Sequence, residues 1–181
     1  MIQYRNLCAQ EIERELFRSF IRRQVVVKCV RWEGGGWAIK DDPFIDDWSE
    51  ENYRTLVSCL KNTAKTGGFV YAAFCGEKLK GFVSVEAGLF GGENKYLDLS
   101  SLHVSEDKRR NGIGRALFLA AKSWAVRNGA RKLYISSHSA LESQAFYKSM
   151  GCVEAKLCSA KHSEAEPYDI QLECPLDLPV T

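Results

Sequence analysis

The chain has no Cys-x-x-Cys pair, no apolar run approaching a membrane span, no internal repeat and no strong excess of either charge. Each absence narrows the reading. Seven cysteines stand singly at Cys8, Cys29, Cys59, Cys75, Cys152, Cys158 and Cys174, and an odd number cannot all bridge within one chain. Most fall in apolar patterns, where a free thiol behaves as a small hydrophobe. The start, Met1-Ile2-Gln3-Tyr4-Arg5, lacks a charged-then-apolar leader, so a reducing cytoplasm is expected. The histidines, His103, His138 and His162, share no ligand-like spacing with one another or with a cysteine pair, and no metal is expected. A net charge of +2 is too near neutral to imply a polyanion, so no nucleic acid is expected, and no membrane.

What is present suffices for one domain over residues 1–181, with 45% hydrophobic residues to build a core. Ile2 to Leu7 reads as a strand, and Gln10 to Arg22 as a helix with Ile12, Leu16 and Phe20 on one stripe. Val25 to Val30 fits either strand or helix. Trp32 to Trp48, with its three glycines and Pro43, reads as a loop. A helix starts at Ser49, runs through Tyr53, Leu56, Val57 and Leu60, and ends at Gly67-Gly68. Phe69 to Cys75 and Leu79 to Leu89 pair around Gly76-Glu77-Lys78. Later come a strand at Lys132 to Ser136 and a helix at Leu141 to Met150 closed by Gly151. Two last strands, Cys152 to Cys158 and Tyr168 to Cys174, are joined by a polar loop.

Between the hairpin and Lys132 lies the most informative stretch. Lys95 to Val104 reads as a strand whose apolar phase changes: Leu97 and Leu99 are odd, Leu102 and Val104 even. A regular strand keeps one phase, so a bulge is expected near Ser100-Ser101. Arg109-Arg110-Asn111-Gly112-Ile113-Gly114-Arg115 follows, and then Ile113, Leu117, Ala120, Ala121 and Trp124 recur at helical spacing up to Asn128-Gly129. Glycines at the mouth of a helix bring bare N–H groups together, and the dipole and three arginines point at one place, which suits a phosphorylated ligand. A nucleoside-triphosphate loop needs a Gly-Lys pair, which the chain lacks. A dinucleotide fingerprint fails because Leu117 stands where a third small residue must sit.

The loop resembles the acetyl-CoA loop of the GNAT superfamily of N-acetyltransferases, Gln/Arg-x-x-Gly-x-Gly/Ala, with Arg109, Gly112 and Gly114 in the specified positions. Leu102-His103-Val104 precedes it at the family's distance. Gln144 to Cys152 looks like the family's Ala-x-x-Phe/Leu-Tyr-x-x-x-Gly-Phe/Cys segment. The resemblance covers roughly Tyr71 to Val153. It implies an α/β (α+β) fold with a mixed, mostly antiparallel central sheet flanked by helices, in the order β-α-α-β-β-β-α-β-α-β-β. It also implies acetyl-CoA as co-substrate, with exposed edge strands leaving room for a homodimer.

The same resemblance assigns roles. Leu102, His103 and Val104 would lie along the coenzyme's arm, with backbone groups of Leu102 and Val104 in contact. Arg109, Arg110, Asn111, Gly112, Ile113, Gly114 and Arg115 would take its diphosphate. Tyr147 would protonate the leaving thiolate, as a phenol with pKa near ~10 can. An amine with pKa ~10.4 is neutral about once in ~2500 molecules at pH 7, which costs ~4.6 kcal/mol without a base. Asp98 is the favoured base; Glu86 and Glu142 are the alternatives. The family's asparagine seven residues before the tyrosine is Ala140 here, so its contact is lost or moves to Ser139, Ser143 or Gln144. His138 is expected to approach the coenzyme.

The acceptor is expected between Trp32 to Trp48 and Ser159 to Pro167. Trp32, Trp37, Phe44 and Trp48 alternate with Asp41, Asp42, Asp46 and Asp47, and Glu164 and Glu166 add charge. Aromatic rings and carboxylates suit a cationic amine. The reading is therefore an N-acetyltransferase for a small cationic amine. The alternatives are a protein amino-group acetyltransferase and a non-catalytic acyl-CoA-binding domain.

Overall fold

The computed structural model of the chain describes residues 1–158, 164 and 167–176. The order is β1 (Ile2–Asn6), a 3-10 turn (Arg14–Phe17), β2 (Gln24–Glu33), β3 (Gly36–Asp46), α1 (Glu50–Lys65), β4 (Phe69–Cys75) and β5 (Lys78–Val85). Then follow β6 (Tyr96–Asp98), β7 (Ser101–Val104), α2 (Ile113–Arg127), β8 (Lys132–Ser137), α3 (Leu141–Ser149), β9 (Val153–Glu154) and β10 (Ile170–Pro175). Among the described residues no helix is long and apolar enough to cross a membrane.

Two four-stranded sheets carry the fold, in the orders β1-β4-β5-β7 and β6-β8-β10-β9. All pairs are antiparallel except β6 with β8. The expected bulge is larger than a bulge: it is a fork. Leu99 N donates to Tyr134 O at 2.9 Å, in the second sheet, whereas Ser100 N donates to Ser84 O at 3.0 Å, in the first. The change of apolar phase marks the residue at which one strand leaves one sheet and enters the other.

Burial on both faces explains the near-continuous apolar run of β4, Phe69–Cys75. Ala73, Val83 and Val85 face α2 and α3 in a core with Leu97, Leu117, Phe118, Leu133 and Leu172. Val70, Ala72, Phe74 and Phe82 face α1 and the 3-10 turn, against Phe17, Phe20, Tyr53 and Leu60. Each such large side chain contributes about 1.5–3 kcal/mol by leaving water. Gly81 sets how closely α2 approaches: a Cβ there would stand 2.8 Å from Ile113 Cγ2 and 3.3 Å from His103 O. Ser49 caps α1 as expected, its Oγ accepting from Asn52 N at 3.2 Å while Asn52 Oδ1 accepts from Ser49 N at 2.9 Å.

Three expectations are corrected. Gln10 to Arg22 is no helix. Leu16 N bonds Glu13 O, Arg18 N bonds Glu15 O and Phe20 N bonds Phe17 O, all i to i−3 closures. The segment buries Ile12 and Phe20 of the expected stripe but Phe17 in place of Leu16, and α1 holds it through Arg14–Glu50 and Lys61–Glu13 ion pairs. Trp32 to Trp48 is mostly strand: β2 and β3 form a separate hairpin, turned by Gly34 and Gly35 at φ 58° and 84°. A register shift opposite Val26–Lys28, near Asp42 and Pro43, hides its alternation. Of Cys152 to Cys158, only Val153–Glu154 pairs as strand.

Candidate active site

The loop before α2 presents donors as its sequence suggests. Gly112 caps the helix at φ 76°, and Arg110, at φ 62°, adopts the same left-handed region. The helix ladder begins with Ala116 N donating to Gly112 O at 3.0 Å, so the N–H groups of Ile113, Gly114 and Arg115 precede it. Arg110, Asn111, Gly112 and Arg115 are exposed. Among the described residues no ion pair involves Lys108, Arg110 or Arg115. A Cβ on Gly112 would meet nothing within 4 Å, so its backbone lies open to a ligand. This set fits a diphosphate.

Arg109 differs from its neighbours. It turns inward, Nε donating to Val104 O at 3.2 Å and Nη2 to Arg23 O at 2.8 Å. Burial, and then the charge of Arg22, lower its pKa. Arg109 therefore braces the loop on β7, while Arg110 and Arg115 present the charge.

At the fork, β7 is the last strand of its sheet, so one row of its main-chain groups faces the gap. Leu102 and Val104 pack on the core under α2. His103 points the other way, its ring 4.7 Å from Trp48 and 5.4 Å from Phe82. Burial and the charges of Arg22 and Arg109 hold the imidazole neutral, well below its usual range.

Asp98 is buried at 8% exposure on the side of β6 away from α2. It lies in register with Tyr134 of β8. That side carries a polar network beneath the Phe90 ring, which packs on Tyr96 and Tyr134 at 5.5 Å each. Tyr96 donates to Glu173, Lys132 donates to Glu173 at 2.8 Å, Tyr134 to Gln171 at 2.8 Å, and Gln171 to Ser136 at 3.0 Å. Glu86 is nearby along the chain fold: its N donates to Asp98 O, and its carboxylate accepts from Thr63 at 2.6 Å and Ser100 at 2.9 Å. Glu142 is exposed in the first turn of α3.

Tyr147 lies on the opposite side, buried against Phe118 and Phe146 with ring centroids 6.0 and 5.2 Å away. Burial, then Cys152 and Asp169, raise its phenol above the usual value, so it stays protonated at neutral pH. The fork thus separates a buried carboxylate on one face from a buried phenol on the other.

Several expected contacts move. Ser139 is buried at 3% and committed to the hairpin: its O accepts from Val30 N at 2.8 Å, and its Oγ accepts from Arg31. Its hydroxyl is thus engaged by the hairpin, where a coenzyme contact was expected. Ala140 is fully buried under Val26 and Cys29, which explains why no asparagine stands there. Gln144 is engaged by Ser137 at 3.0 Å and His138 O at 2.9 Å, so half-buried Ser143 is the remaining candidate of the three. His138 Nδ1 accepts from Ala140 N at 3.0 Å in the turn that precedes α3.

The acidic, aromatic stretch also changes meaning. Asp41 pairs with Lys28 at 3.8 Å, Asp42 with Arg31 at 2.5 Å, and Asp46 with Arg22. Trp48 is covered by the Arg22 guanidinium at 4.9 Å. Trp32 and Trp37 meet edge to face at 5.1 Å, and Trp37 Nε1 donates to Glu154 at 3.0 Å. These charges and rings serve one another. Of Ser159 to Pro167, only Glu164 and Pro167 fall among the described residues; Glu166 and His162 lie outside them. Sequence reasoning missed Arg22 and Gly81, which carry no motif of their own.

A mixed fold with a forked strand, a glycine-opened helix and a tyrosine helix defines a class, and the comparisons agree with it. The profile of the Acetyltransferase (GNAT) family matches residues 36–152, well over half of the chain. The chain belongs to this family of N-acetyltransferases, whose co-substrate is acetyl-CoA. No curated protein matches it. A nourseothricin acetyltransferase structure is similar with 18% identity and TM-score 0.71, covering 97% of this chain and 99% of that one. PaiA N-acetyltransferase from Thermoplasma acidophilum, in complex with coenzyme A, aligns with 14% identity and TM-score 0.60 over 97% and 99%. The ribosomal-protein-S18-alanine N-acetyltransferase of Escherichia coli aligns with 16% identity and TM-score 0.61 over 99% and 97%.

Proposed function

We propose that the protein transfers the acetyl group of acetyl-CoA to a primary amine on a small cationic acceptor. The observation that carries this is the fork, with Asp98 on its polar side, Tyr147 on the other and the open amides of α2 at its end. Bound coenzyme supplies an activated acetyl thioester. The amides of Ile113 to Arg115, with Arg110 and Arg115, hold the diphosphate through charge-assisted bonds about twice as strong as neutral ones. Main-chain groups of Leu102 and Val104 hold the arm at the open edge of β7. Asp98 takes the proton of the incoming ammonium, directly or through water, and Tyr147 returns one to the departing sulfur.

The polar side of β6, β8 and β10 supports an amine entering there, because a carboxylate and several hydroxyls face it. The similarity to the nourseothricin enzyme, higher in TM-score than that to the ribosomal-protein enzyme, supports a small acceptor. The test is thiol release from acetyl-CoA across a panel of small polyamines, aminoglycosides and amino-terminal peptides. Turnover with small polycations supports the reading. Turnover confined to peptides replaces it with protein acetylation.

A further inference from the structure

The charged group that the fold explains least is Arg22, between the 3-10 turn and β2. Its side chain is 9% exposed. One end donates to Asp46, and the guanidinium plane lies over Trp48. Its Nε–H has no acceptor, and among the described residues it is the one buried side-chain donor left so. Folded chains seldom keep such a donor unless a ligand or water completes it.

Arg22 is held where it is by bonds on both sides along the chain. Lys80 Nζ donates to Ser19 O at 2.9 Å, Ile21 N to Ser105 Oγ at 3.0 Å, Glu106 N to Ile21 O at 2.8 Å and Arg109 Nη2 to Arg23 O at 2.8 Å. Three of these four anchors, Ser105, Glu106 and Arg109, lie on residues 105–109, which join the fork to the glycine loop. The Trp48 ring touches both the Arg22 guanidinium, at 4.9 Å, and the His103 ring, at 4.7 Å, which brings Arg22 near β7, and the charges of Arg22 and Arg109 disfavour protonation of His103. The unmet Nε–H of Arg22 therefore calls for an oxygen acceptor, which an ammonium cannot supply. A ligand with its thioester at the fork and its diphosphate at the loop must pass along this run.

We propose that Arg22 is a further coenzyme-binding residue, whose Nε–H donates to an amide carbonyl oxygen of the pantetheine arm. The proposal rests on the placement of the coenzyme in the fork. Arg22→Lys keeps the charge opposite Asp46 but removes that N–H. Calorimetric titration compares coenzyme A with ADP, which carries a diphosphate and no arm. The expected result is coenzyme A binding weakened about tenfold in the variant, the loss of one charge-assisted bond, with ADP binding changed less than about twofold. Equal weakening of both ligands makes Arg22 a brace for the loop and overturns the proposal. No weakening of either overturns it as well. Wild-type protein that binds neither ligand sinks the coenzyme placement itself, and the proposal with it. Should the lysine variant lose its cooperative melt, Arg22→Gln is titrated in the same way.

Discussion

The loop that opens α2 and the β2–β3 hairpin both gather charge, and they treat it in opposite ways. In the loop, Arg110 and Arg115 are exposed and make no ion pair among the described residues. In the hairpin, Asp41, Asp42 and Asp46 each have a cation of their own, and Glu33 has Lys40 at 2.5 Å. Charge left without a partner next to open amides marks a place for a ligand. Charge already matched marks architecture, because its field is spent within a few ångströms. Both regions read as charge clusters in the sequence, and the pairing tells them apart.

That contrast can be broken or sharpened by mutation. The largest effect belongs to the fork: Tyr147→Phe should lower kcat by about 10²-fold or more while coenzyme A binding holds, as general-acid removal does. Steady-state kinetics beside calorimetry check it, and unchanged turnover removes the acid role. Next, Arg110→Gln with Arg115→Gln should weaken coenzyme A by about tenfold or more, and the gap should narrow as salt rises. Titrations at two ionic strengths read this directly.

A smaller effect tests the seam between hairpin and α3. Ala140→Asn, which restores the residue common in the family, should destabilise by about 1–3 kcal/mol, since no space surrounds a fully buried alanine. Denaturant melts measure it; a stabilised or better-binding variant would show the seam to be slack. The acid response of His103 is smaller still and has a definite sign. Its folded-state pKa lies well below the usual value, chiefly through burial and then through Arg22 and Arg109. From about pH 6.5 downward the unfolded chain takes up a proton that the folded chain refuses, so stability falls with falling pH until the folded-state pKa is passed. His103→Gln should flatten that slope in melts taken across pH. Last, Asp42→Asn should leave coenzyme A affinity within about twofold and cost no more than about 1 kcal/mol, the scale of a half-exposed ion pair. A large loss of binding would mean that the hairpin reaches the ligand after all.

The site was legible in the sequence wherever a local rule sets the geometry. Gly112 and Gly114 had to open the mouth of α2, Asn128-Gly129 had to stop it, and the switch from Leu97 and Leu99 to Leu102 and Val104 had to mark a break in one strand. The acid stretch before α1 misled, since alternation is masked by Asp42 and Pro43 and cross-strand partners such as Lys28 and Arg31 lie more than ten residues away. Ser139 misled for the same reason: nothing near it in sequence announces that Arg31 occupies its hydroxyl.

By itself, then, the order of residues determined the strand, the glycine loop and the helix that follows it, because backbone conformation and apolar period are decided within a few neighbours. Tertiary structure alone decided that the strand forks between two sheets, that the hairpin acids are neutralised, and that Arg22 lies buried beside β7 with one donor unmet. Those outcomes depend on which distant groups meet, and charge pairing and burial are properties of the meeting, not of the residue.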